Sequence, residues 1–221
     1  MPAAAADVAD DGNLAAVVSG PPEQVTMIDA AYGKVSNVVA LPGGRFAAGV
    51  AVQGRDIWVA NPAARTLDRL SPPYTAVAGR VPLPSRAQLV AAGGEALWAV
   101  GGRQLWRIDP GHGRVTARVA LSFAPRALAA GDGAVWLVDT QRDRLVRFDP
   151  RTRRFTAIHT DPGPVAVSVG NDAVWTANRA DGSVTKIDPA RNVAVRTIGV
   201  GAEPVDLVAG LGGIWVVRRT D

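Results

Sequence analysis

Residues 124–161 read APRALAAGDGAVWLVDTQRDRLVRFDPRTRRFTAIHTD. Pro125 to Ala130 is a short run of small apolar residues, and Gly131-Asp132-Gly133 is turn chemistry, with glycines suited to positive φ. Ala134 to Val138 (AVWLV) is unbroken apolar, as a strand covered on both faces should be. Thr140 to Asp143 is a polar loop, and Arg144 to Phe148 (RLVRF) alternates as a half-covered strand does. Asp149-Pro150 opens a turn: proline presets φ, and aspartate bonds the backbone that follows. Arg154 to Thr160 alternates again. The stretch holds four short strands and no helical period.

The same text recurs outward from this stretch. Tryptophan returns at Trp58, Trp98, Trp136, Trp175 and Trp215, about 40 residues apart, within GRDIWVAN, GEALWAVG, DGAVWLVD, NDAVWTAN and GGIWVVR. A second phrase follows as WRIDPGHG, VRFDPRTR and TKIDPARN, with TMIDAAYG as an N-terminal counterpart. Four strands per repeat of this length predict an all-β fold, a β-propeller of four-stranded blades. Full units run over 43–84, 85–123, 124–161 and 162–200. Residues 13–42 read as three strands, with Ala16 where the tryptophan should be, and 201–221 as two. About five blades are expected. Either the C-terminal pair completes the N-terminal partial blade, or the chain is part of a larger propeller. Residues 1–12 are expected to be a flexible segment and 13–221 the propeller domain.

Composition agrees with that reading. A chain of 221 residues that is 48% apolar can bury a sizeable core. Having no cysteine, it has no disulfide, thiol nucleophile or zinc–thiolate site. No apolar run is long enough to span a membrane, and MPAAAADVADDG lacks the features of a secretory signal. The net charge of +4 would suit an anionic partner. Yet of the 24 basic residues only Lys34 and Lys186 are lysine, basic and acidic residues are interspersed, and no aromatics interleave with them. That pattern reflects a compositional bias and a solvated surface, not a nucleic-acid interface.

Position along the repeat says more than total charge. In a propeller, the loops entering each blade and those joining its second and third strands share one face. The first set carries Arg45, Arg86 and Arg126; the second carries Asn61, Arg65, Arg103, Asp139, Arg142, Asn178 and Arg179. These ten form the candidate ligand-binding rim, where planar guanidinium forks can meet carboxylates or phosphates. Asp29, Asp109, Asp149 and Asp188 each open a turn at the other end of their sheets and read as turn caps, not a metal ring. The repeated tryptophans read as wedges between blades, and Trp106, out of pattern on a third strand, also reads as packing, though near enough to the rim to touch a partner. His112 sits in the turn PGHGR and His159 on an outer strand, neither beside a carboxylate that would make it a base. No nucleophile elbow, zinc-binding helix motif or phosphate-cradling loop occurs. Asp206 is the clearest acidic residue on an inner strand, with Glu203 beside it. No catalytic residue, metal site or cofactor is assigned.

The units SVGNDAVWTANRADGSVTKIDPARN and AAGDGAVWLVDTQRDRLVRFDPRTR resemble the repeats of YVTN-type and NHL-type β-propellers, and are similar to those of virginiamycin B lyase-like proteins. The resemblance covers about residues 13 to 219. It implies a bacterial binding or sensor domain, in an extracytoplasmic part of a larger membrane-anchored protein or else in the cytoplasm. The expected function is non-enzymatic: one loop-built face presented to a protein, peptide or anionic small ligand. The alternative is a metal-assisted propeller lyase or hydrolase. That reading needs a histidine base and an acidic metal ligand at the channel mouth, a constellation with no match here.

Overall fold

The computed structural model describes residues 5–10, 14–19, 24–29, 32–41, 49–201, 203–210 and 212–219. The chain divides into two compact units, Met1–Leu121 and Ser122–Asp221.

The first unit holds three four-stranded antiparallel sheets, each a meander in chain order. They are β1 (Ala5–Asp10), β2 (Leu14–Ser19), β3 (Gln24–Asp29) and β4 (Lys34–Ala40); β5 (Val50–Gln53), β6 (Asp56–Asn61), β7 (Thr66–Leu70) and β8 (Gly79–Pro82); and β9 (Leu89–Gly93), β10 (Ala96–Gly101), β11 (Gln104–Asp109) and β12 (Arg114–Ala120). The second unit holds β13 (Leu128–Gly131), β14 (Ala134–Asp139), β15 (Arg144–Asp149) and β16 (Arg154–His159); β17 (Pro164–Gly170), β18 (Ala173–Asn178), β19 (Ser183–Asp188) and β20 (Val193–Gly199); and a two-stranded sheet of β21 (Pro204–Gly210) and β22 (Gly213–Arg218). The fold is the all-β propeller type expected from the repeat, with five four-stranded blades and a partial sixth sheet among the described residues.

The N-terminal sheet differs from its sequence reading. Ala5–Asp10, expected to be flexible, forms β1 and pairs with β2, from Val8 opposite Val17 to Asp10 opposite Ala15. A first strand made of small residues carries little apolar signal, so AADVAD looked like a tail. With β1 in place that sheet is complete, and β21–β22 form a separate sheet rather than supplying its missing strand.

Burial follows strand position. β10, β14 and β18, the largely apolar second strands, are buried at every residue. β20, a fourth strand, is exposed at every residue. Neighbouring sheets meet through apolar clusters: Trp58, Val90 and Leu97 in the first unit, and Trp136, Ile158 and Val174 in the second. Trp58, Trp98, Trp136 and Trp175 are 0–7% exposed, as wedges between sheets should be, but Trp215 is 66% exposed. It lies on β22, beyond which no sheet follows among the described residues.

The third-to-fourth strand turns are built alike. Asp109 accepts the N–H groups of Gly111 and His112, Asp149 those of Arg151 and Thr152, and Asp188 those of Ala190 and Arg191. The aspartates are turn caps, and these bonds hold the carboxyls of Asp109 and Asp149 below the usual range. His112 Nδ1 also lies 2.8 Å from Asp109 Oδ2. This is a carboxylate partner that the sequence reading did not give it, because only the turn folds the side chains together.

Candidate functional site

The loops after second strands and those entering the next sheet meet at one end of the second unit. Backbone and side-chain bonds tie them to one another. Gly163 N–H donates to Asp143 Oδ1 at 2.8 Å, and Arg179 N–H donates to the Gly163 carbonyl at 2.7 Å. Val200 N–H donates to the Gly182 carbonyl at 2.9 Å, and Arg218 Nη1 donates to the Val200 carbonyl at 2.8 Å. Gly163 has φ of +71°, and a Cβ there would stand 2.7 Å from the Cβ of Ala180, so only glycine lets these loops touch. Such mutual bonding makes the surface between the loops preformed, which lowers the entropy lost on binding.

That surface is an open cavity of about 780 Å³. Arg126 and Val165, entering β13 and lying in β17, supply its inner wall; Thr140, Arg179 and Asp181 come from second-to-third strand loops, and Glu203 from the segment entering β21. Arg179 is committed to Glu203, with Nε and Nη2 at 3.0 and 2.6 Å from Oε2. Arg126 is exposed and makes no ion pair among the described residues. Asp206, on β21, is partly buried; desolvation raises its carboxyl above the ordinary range, only partly offset by the Leu207 N–H and the charge of Arg126.

Of the ten candidate rim residues, Arg126 and Arg179 line this cavity. Arg45 lies outside the described residues. Arg65, Arg86 and Arg103 are exposed in the first unit. Arg142, also exposed, is drawn to Asp139 at 3.3 Å. Three polar candidates are not presented to solvent at all. Asn61, Asp139 and Asn178 end their second strands buried. Asn61 donates to Asp68 and accepts from Ala64 N–H. Asp139 accepts from Arg144 at 2.9 Å. Asn178 donates to Ser183 and Thr185. Their place in the repeat was legible, but a polar residue at a strand end serves equally as an internal clasp, and burial makes it one. Burial decides Trp106 too: at 1% exposure it is packing, with no reach to a partner.

The sequence reading noted Glu203 and Asp206 only as inner acids, and it left out Thr140, Gly163 and Asp181. A signal existed: the D-P-G-P of 161–164 and A-D-G of 180–182 put glycine at close backbone approaches. Among the described residues no three His, Asp or Glu side chains gather as metal ligands, and no helix is long and apolar enough to cross a membrane.

No family model matches the chain, and no curated protein does. Solved structures do. Virginiamycin B lyase from Staphylococcus aureus aligns with a TM-score of 0.79 at 17% identity, over 97% of this chain and 77% of the other. U3-55K aligns at 0.80 and 8% identity, over 98% and 75%. Hydrazine synthase from Kuenenia stuttgartiensis aligns at 0.60 and 11%, over 97% and 95%. Likeness at such identities is likeness of fold: the chain shares the β-propeller architecture with proteins of unlike roles, and role must be argued from the site.

Proposed function

We propose that the chain is a propeller binding module of the YVTN/NHL kind, and that it takes an anionic group of a small ligand or acidic peptide into the loop-built cavity of residues 122–221. The observation that carries this is Arg126: a guanidinium lining an open, preformed cavity with no ion pair among the described residues. An arginine so placed meets a carboxylate or phosphate with a planar, bidentate fork. Arg179, already held by Glu203, sets the cavity wall and offers its remaining donors.

The test is calorimetric titration of the chain with citrate, inorganic phosphate and an acidic hexapeptide, repeated with Arg126→Ala and, as a surface control, Arg86→Ala. Binding of at least one probe, weakened tenfold or more by Arg126→Ala and unchanged by Arg86→Ala, supports the reading. Equal affinity of all three proteins for every probe, or no binding, sinks it.

A further inference from the structure

We infer that the cavity of residues 122–221 takes a short peptide with both termini free, its carboxylate on Arg126 and its ammonium group on Asp181. The inference rests on the reading of Arg126 as the anion site and adds a second charge to it. Four ionisable side chains line the cavity: Arg126, Arg179, Asp181 and Glu203. Arg179 and Glu203 neutralise each other, with Nη2 2.6 Å from Oε2. That leaves one cation and one anion. The side chain of Asp181, like that of Arg126, is exposed and makes no hydrogen bond or ion pair among the described residues. A ligand carrying only negative charge gains Arg126 but is repelled by Asp181. A ligand carrying a separated positive charge as well gains both.

The two charges come from different sheets. Arg126 lies ahead of β13, where its backbone N–H donates to the Val138 carbonyl at 2.9 Å. Asp181 lies in the turn between β18 and β19, beside Gly182 at φ of +67°. Those sheets pack against each other through Trp136, Ile158 and Val174. Packed sheets stand roughly 10 Å apart, too far for the charges of a free amino acid, which are separated by one carbon. An extended chain advances about 3.3 Å per residue, so two or three residues bridge that gap. The rest of the wall is uncharged and mostly small, with Gly163, Val165, Ala180 and Gly182. It leaves room for a peptide backbone and offers nothing to a charged side chain. Selection therefore falls on the two termini.

The probe is tri-alanine with free termini, titrated calorimetrically beside its N-acetyl form, its C-terminal amide and free alanine. Tri-alanine should bind at least tenfold tighter than each of the three. Asp181→Asn keeps a side chain suited to the turn. It should weaken tri-alanine tenfold or more and leave the N-acetyl form unchanged, a pattern that a merely structural role of Asp181 would not give. Arg126→Ala should likewise weaken tri-alanine and leave the amide unchanged. Asp181→Ser is the second variant, should Asp181→Asn prove poorly folded. Equal affinity for tri-alanine and its N-acetyl form, indifference of tri-alanine to both Asp181 variants, or free alanine binding as tightly overturns the inference. If citrate or phosphate is then still held through Arg126, the anion site stands and the second charge alone falls. If no probe binds, both fall.

Discussion

Trp106 and the backbone of Arg86 together close the space beside Gly101: a Cβ there would stand close against the Arg86 carbonyl oxygen and 2.5 Å from the indole Cη2 of Trp106. Gly101 ends β10 where Asn61, Asp139 and Asn178 end β6, β14 and β18. Those three sheets close the position with a hydrogen-bonded polar side chain. The β9–β12 sheet closes it with a ring from the next strand.

Gly101→Ala should therefore overpack that site and cost about 1–3 kcal/mol. Trp106→Ala, which empties it, should cost about 3–5 kcal/mol. Urea denaturation of both variants checks the pair. A silent Gly101→Ala would mean that neither Trp106 nor the Arg86 carbonyl competes with it for the space.

This pairing also marks what the sequence could show. The period, the strand roles and the turn aspartates were legible because each repeats, and repetition separates signal from chance. Trp106 and Gly101 were not legible as partners, since each is an exception and their relation exists only across the β10–β11 pairing. Asn61, Asp139 and Asn178 were placed at the correct strand ends, but sequence carries no measure of whether a strand end is wet or buried. The loops that carry Arg126 and Arg179 were legible from the repeat; the carboxylate opposite Arg179 sits 24 residues away and needed the fold.

The tryptophans should divide by position. Trp136, fully buried, wedges between sheets, so Trp136→Ala should cost about 3–5 kcal/mol. Trp215→Ala removes a mostly exposed ring and should stay within about 0.5 kcal/mol. Thermal melts of the two variants decide this. Equal losses would show that the Trp215 ring is covered in solution.

Arg153 should tolerate glycine. It closes the β15–β16 turn with φ of +58°, where Gly33 and Gly113 close theirs at +59° and +58°. A side chain in the left-handed region costs roughly 1 kcal/mol, against the entropy that glycine loses on folding. Arg153→Gly should be neutral or stabilising by up to about 1 kcal/mol, measured by denaturant midpoint. A loss above that would mean the arginine side chain makes a contact that outweighs the strain.

The acid limb of the stability curve should carry two opposite contributions. Asp206 has its carboxyl raised above 3.8, chiefly by burial, so the folded state binds its proton more tightly than the unfolded chain does. Stability from this group is greatest below 3.8 and is lost as pH rises through its folded value. Asp109 and Asp149 have carboxyls lowered below 3.8, first by the N–H groups of His112 and Thr152, so theirs is present above 3.8 and lost as pH falls through their folded values. Asp206→Asn should thus raise the melting temperature at pH 7 relative to the parent, with the advantage shrinking as pH drops toward 3.8. Asp149→Asn should lower it at pH 7, with the deficit shrinking below 3.8. Melts from pH 3 to pH 7 on the parent and both variants give the two differences. An Asp206→Asn advantage that grows on acidification would show that the carboxylate is stabilised, by Arg126 or otherwise, and that burial does not dominate its charge.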